Sequence, residues 1–110
     1  MSGKFEIFKD KRGEFRFRLK ASNGQTILAS EGYKQHSGCD NGIESVKKNA
    51  ADDNQFDRKT ANNGKFCFSL VAKNKQIIGT SEMYDTEESR DNGIESVKKN
   101  APDASIDDQS

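Results

Sequence analysis

Asp40–Ala50 reads DNGIESVKKNA, and Asp91–Ala101 reads DNGIESVKKNA again, 51 positions later. Carried backwards at the same offset without a gap, the match pairs Phe15 with Phe66, Phe17 with Phe68, Leu19 with Leu70, Ala21 with Ala72 and Tyr33 with Tyr84. Over residues 15–50 it amounts to 21 identities in 36 positions. That density at one constant offset marks a tandem duplication, and the period has to be read before any single element. Residues 1–53 form repeat one, residues 54–102 form repeat two, and residues 103–110 read as a flexible acidic tail on one compact domain.

Comparing the copies shows what each position is for. From Phe15 to Ala21 the identities fall on every second residue, the signature of one face of a β-strand. The intervening Arg16, Arg18 and Lys20 become Cys67, Ser69 and Val71, so one face is specified and the other drifts. A three-residue turn, Ser22-Asn23-Gly24 with Gly24 left-handed, keeps Ile27 on the side of Leu19, whereas a two-residue turn would send it to the Arg/Lys face. This register sets Leu19 opposite Ile27 and gives Lys75 the left-handed position in repeat two. Lys4–Phe8 and, more weakly, Gln55–Arg58 read as the preceding strands, with Gly13 and Asn63-Gly64 in the turns that follow.

In the repeated eleven residues, Ile43, Val46 and Ala50 share one helical face. Asn41 is expected to cap this helix, with Glu44 as its capping-box partner; a start near Ser37 would leave Gly42 inside at a cost of about 1 kcal/mol. Each unit is therefore β-β-β-α. Neither half has the apolar surface to fold alone, and separated halves are expected to unfold or to dimerise. The fold class is α+β: an antiparallel sheet of about six strands with two helices on one face, related by a pseudo-twofold axis.

The doubled NGIESVKKNA, together with FRFRLKASNGQ at Phe15–Gln25, resembles the YegP family of small bacterial proteins. The resemblance runs over nearly the whole chain. It implies a β-β-β-α unit, present twice here and paired as a homodimer in single-unit relatives. It implies no enzymatic activity and brings no catalytic residues. Cys67, Ser69 and Val71 depart from the basic residues expected on the outward strand face.

Bulk composition narrows the classes further. The 20 Leu, Ile, Val and Phe residues are scarce among 110, and mean hydropathy is −1.00. Net charge is zero, so the self-repulsion that accompanies disorder is missing. No apolar run suits a membrane span or a signal peptide, and two distant cysteines fit reduced thiols in the cytoplasm. No ligand spacing points to a metal or another cofactor. His36, the one histidine, is matched by Glu87 in repeat two, and Cys39 by Arg90. A solvated histidine and a tolerated cysteine account for both, so no enzyme is expected.

Two binding surfaces come into question. Phe8, Leu28, Cys67, Val71 and Ile77 fall on the sheet face away from the helices and would, if gathered, form an apolar patch for a protein partner. Arg16, Arg18 and Lys20 form a basic row for phosphate or nucleic acid; repeat one carries 10 basic against 8 acidic residues, repeat two with the tail 8 against 10. The expected function is a monomeric, non-enzymatic binding module, with a protein partner preferred to a weak nucleic-acid ligand. One puzzle is left: Ser45, Lys47 and Asn49 should be exposed, yet they are identical in both copies.

Overall fold

The computed structural model describes residues 3–110. Repeat one folds as β1 (Lys4–Lys9), β2 (Phe15–Lys20), β3 (Thr26–Ala29) and α1 (His36–Asn49), and a short 3-10 turn at Asp53–Gln55 leads onward. Repeat two folds as β4 (Phe56–Thr60), β5 (Phe66–Val71), β6 (Ile77–Thr80) and α2 (Glu87–Asn100), and the chain ends in β7 (Ser105–Asp108). The sheet order is β4-β5-β6-β3-β2-β1-β7. Two antiparallel meanders thus meet edge to edge at β3 and β6, with a pseudo-twofold axis between them.

That seam is thin. Ala29 opposite Thr80 is its one register pair. The helices hold it: α1 packs on β2 and reaches β6, while α2 packs on β5 and reaches β3. Their apolar stripes enter one core, where Phe5, Phe17, Leu19, Ile43 and Val46 meet Phe68, Leu70, Ile94 and Val97. At the axis the repeats differ. Leu28 is fully buried, and its counterpart is Gly79, where a Cβ would stand 2.9 Å from Leu28 Cγ.

The α+β class and the doubled unit agree with the sequence, but three expectations change. First, the helix starts at His36, not beside Asn41, and Gly42 sits in its interior. A Cβ on Gly42 would lie 2.6 Å from Tyr33 Oη and 2.9 Å from Phe17 Cε2; one on Gly93 would lie 2.5 Å from Tyr84 Oη. Each glycine lets a tyrosine ring lie flat between helix and strand, stacked on Phe17 or Phe68. Thr86 Oγ1 caps α2 by accepting from Ser89 N at 3.0 Å, while Gln35 supplies no side-chain cap to α1.

Second, the three-residue turn forms, with Gly24 at φ 86 and Lys75 at φ 70, but a bulge follows it. Leu19 faces Leu28 instead of Ile27, so Ile27 becomes the extra residue and both Ile27 and Leu28 turn inward. Repeat two repeats the device, with Leu70 opposite Gly79. Third, the expected loose tail contains a seventh strand. Residues 105–108 pair parallel with β1, Phe5 opposite Ile106, so the sheet is mixed rather than wholly antiparallel. The acidic composition hid this strand because main-chain bonds hold it, with Gln109 N donating to Ile7 O at 2.7 Å.

A helix-interior glycine ordinarily gains about 1 kcal/mol on replacement by alanine. Here Gly42→Ala is expected to lose about 1–2 kcal/mol instead, because overpacking outweighs propensity. Urea denaturation of Gly42→Ala, Tyr33→Phe and the double variant tests this. The double variant should recover part of the loss, because removing Oη frees the contested space.

Candidate functional site

The outward sheet face is built by the β1–β2 register, which sets Glu6 opposite Arg18, Phe8 opposite Arg16 and Lys4 opposite Lys20. Glu6 is buried and lies at the centre of a cluster of cations. Arg18 Nε donates to its Oε1 at 2.7 Å, and Lys20 and Lys4 reach its carboxylate at 3.4 Å each. Arg18 foremost, then Lys20 and Lys4, hold the Glu6 carboxyl down at about 2, against the opposing push of burial. Arg16 Nε donates to Asp10 at 2.7 Å, and that carboxyl is lowered chiefly for this reason. The basic row Arg16, Arg18 and Lys20 is therefore matched by carboxylates of the neighbouring strand and turn. Sequence spacing exposed the cations but not their partners, since Glu6 and Asp10 meet them only through the hairpin register.

The expected apolar patch does not assemble. Leu28 is fully buried in the core, turned there by the bulge, and Cys67 is buried as well. Phe8 is half-buried beneath Arg18, whose guanidinium carbon lies 4.5 Å from the ring centroid. Val71 and Ile77 do meet, as a register pair, and Ile77 is 43% exposed. They lie on β5 and β6, with β3 and β2 between them and Phe8 on β1.

Residues of chemical interest are likewise engaged. Cys39 is buried, which drives its thiol up to about 11 and away from a reactive thiolate. His36 lies edge-on to Phe15, its Nδ1 3.0 Å from Asp40 and its Nε2 2.7 Å from Asp108. In repeat two the buried Arg90, at the Cys39 position, covers Phe66 instead, with its guanidinium 5.6 Å from the ring. Different residues thus do the same covering work in the two copies of this segment. Among the described residues, no three His, Cys, Asp or Glu side chains group to hold a metal ion. No helix is long and apolar enough to cross a membrane.

A concave surface lies where neither set of expectations placed it. A groove of about 350 Å³ runs between the β2–β3 turn of repeat one and α2 of repeat two, lined by Asn23, Gln25, Tyr84, Asn92 and Ser96 among others. It continues into a hollow of about 280 Å³ that adds Glu95, Lys99 and Asn100. Under the pseudo-twofold, the β5–β6 turn and α1 form a smaller counterpart of about 270 Å³, with Ser45, Lys48, Asn49, Ala72, Lys73 and Asn74. The repeated helix residues face these grooves. Asn49 Nδ2 donates to Ser45 O at 2.8 Å, and Asn100 does the same to Ser96. Lys48 and Lys99 are exposed at the rim. Lys47 and Lys98 have a structural duty, their ammonium groups standing about 6 Å over the rings of Phe5 and Phe56.

Comparison with known proteins places this arrangement. The chain matches the family described as domain of unknown function DUF1508 over residues 10–57 and again over residues 61–108. The chain belongs to the DUF1508 family. It is 65% identical over 106 residues to a UPF0339 protein encoded in the ptx operon 5′ region of Stutzerimonas stutzeri, covering 96% of both chains. It is 48% identical to the UPF0339 protein YegP of Escherichia coli, covering 98% of both. The solution structure of that YegP, a protein of unknown function, superposes with a TM-score of 0.94 over 99% of this chain and 94% of its own. A UPF0339 protein from Shewanella oneidensis gives 0.92 at 47% identity, over 98% of this chain and 92% of its own. The resemblance drawn from NGIESVKKNA is thereby established; the two matched units keep the 51-residue offset but are shifted against the structural repeats, the first starting after β1 and ending in β4, the second starting after β4 and ending with β7.

Two pH effects follow for this DUF1508 pair. Because the Glu6 carboxyl is lowered on folding, its contribution is present above its ordinary value of 4.5 and is lost as pH falls toward 2. Glu6→Gln should cost about 2 kcal/mol at neutral pH and flatten that acid limb in urea titrations. His36 has the opposite sign. Asp108 foremost raises it above 6.5, so its contribution is full below that value and fades as pH rises through the folded one. Amide protection of residues 105–109 should therefore weaken as pH rises above 6.5, and His36→Gln should remove that dependence.

Proposed function

We propose that this chain is a non-enzymatic, cytosolic binding module whose two matching grooves each take an extended polar segment of one partner protein. The observation that carries the reading is the repetition of the lining. Of the 13 residues around the larger groove and its continuation, 11 recur at the equivalent positions of the other repeat, Ser22 and Ser89 being the exceptions. Several have packing roles, Ala21, Ile27, Tyr84 and Gly93 among them. Asn92, Glu95 and Lys99 are exposed, and so are their counterparts Asn41, Glu44 and Lys48.

The chemistry favours peptide. Side-chain amides offer a donor and an acceptor together and so complement peptide groups, while the rim lysine suits one carboxylate. The neutralised basic row weighs against a phosphate backbone, which draws its affinity from uncompensated cations. A buried, unactivated Cys39 and a histidine held between two carboxylates support a non-catalytic role.

Photo-crosslinking in bacterial cells tests the proposal, with benzoylphenylalanine placed at Asn41, at Asn92 and, as a control, at Lys11. The same partner should be captured from both groove positions and not from the control. Lys99→Glu should abolish capture at Asn92 while sparing Asn41, and Lys48→Glu should do the reverse. Capture from neither groove, or of unrelated proteins from the two, would refute it.

A further inference from the structure

The sheet has two edges, and only one of them carries an added strand. In repeat one, β7 lies against β1: Ser105 N donates to Gly3 O at 3.3 Å and Gln109 N to Ile7 O at 2.7 Å. The odd-numbered residues of β1 therefore turn their main-chain groups toward β7. The repeat offset places β4 where β1 stands, with Phe56 in place of Phe5 and Arg58 in place of Ile7. In the β4–β5 ladder Asp57 faces Ser69 and Lys59 faces Cys67. By alternation, Phe56, Arg58 and Thr60 present their amide and carbonyl groups outward, and β4 ends the sheet.

We propose that the β4 edge is a docking site for an extended acidic segment of a partner protein, added parallel to β4 as β7 is added to β1. The molecule supplies its own template. In β7 an apolar Ile106 stands opposite Phe5, Asp107 reaches Lys4 at 3.5 Å on the outer side, and Asp108 meets His36 at 2.7 Å on the helix side. The vacant slot offers cations on the same two sides, Lys59 outward and Arg58 toward α2. Both are held by loose, exposed pairs: Arg58 to Asp91 at 3.2 Å and Asp53 at 3.4 Å, Lys59 to Asp57 at 3.8 Å. Such pairs exchange at little cost for a better-placed carboxylate. The slot therefore fits an apolar-acidic-acidic strand. An antiparallel second copy would bring Arg58 against Arg58. This surface is separate from the grooves and holds or fails independently of them.

The test uses a free peptide with the sequence of residues 104–110, ASIDDQS, titrated into the isotope-labelled full chain. The chain's own β7 keeps the β1 slot, because its tether gives it a high effective concentration. Amide shifts and slowed exchange are expected at Phe56, Arg58 and Thr60, and binding should weaken with added salt. Arg58→Pro removes one outward N–H at an edge position that tolerates proline, and should weaken binding about fivefold or more; Arg58→Gln should weaken it less. A peptide with both aspartates replaced by asparagine should also bind more weakly. No perturbation of β4 at millimolar peptide would overturn the proposal. So would perturbation confined to β1 and β7, or self-association through β4 without peptide binding.

Discussion

The two repeats close one core between them, and the joint between β3 and β6 is where they meet. One register pair, Ala29 with Thr80, would not hold two meanders together. The joint persists because α1 and α2 each reach across it and bury Ile43, Val46, Ile94 and Val97 over strands of both repeats. Each helix can come that close only because a glycine, Gly42 or Gly93, lets a tyrosine ring lie beneath it. The chain of dependence runs from a missing Cβ to ring stacking, to helix position, to the seam. The grooves lie at its end, because they are the gaps between each crossing helix and the opposite repeat's turn.

Much of this was legible in the duplicated pattern. Alternating identities from Phe15 to Ala21 marked the core face, and the turn chemistry of Asn23-Gly24 predicted the left-handed Lys75 found at φ 70. What stayed hidden had physical causes. Gly42 looked like a boundary because propensity weighs a glycine without knowing that Tyr33 fills its place. Leu28 looked outward because one bulged residue reverses a strand's faces. The last strand was hidden because main-chain bonds and a histidine contact hold it, and neither leaves an apolar signature. Glu6 and Asp10 passed unnoticed as counter-ions because charge pairing across a hairpin is a property of register, not of spacing along the chain.

The puzzle of the identical polar helix residues divides into two parts. Lys47 and Lys98 cover Phe5 and Phe56, while Asn49 and Asn100 bind the carbonyl four residues back, so packing accounts for them. Asn41, Glu44 and Lys48, with Asn92 and Lys99 in repeat two, have no such duty on the helix and face outward around the grooves, while Glu95 pairs with Lys98 at 3.1 Å. Divergence is concentrated at residues 34–39, where His36 and Arg90 show two ways of shielding one aromatic ring. Residues free of a packing role are those whose repetition asks for a ligand.

Leu28 and Gly79 carry a consequence for how such a protein evolves. Two identical units meeting on a true twofold would have to place the same residue on both sides of the axis. Leucine on both sides would collide, and glycine on both sides would leave a void. Covalent linkage removes that restriction, and here a knob on one unit is seated in a hole on the other. The two repeats are complementary at this point rather than identical. Fusion in this molecule is therefore more than a tether, since it lets the interface be directional.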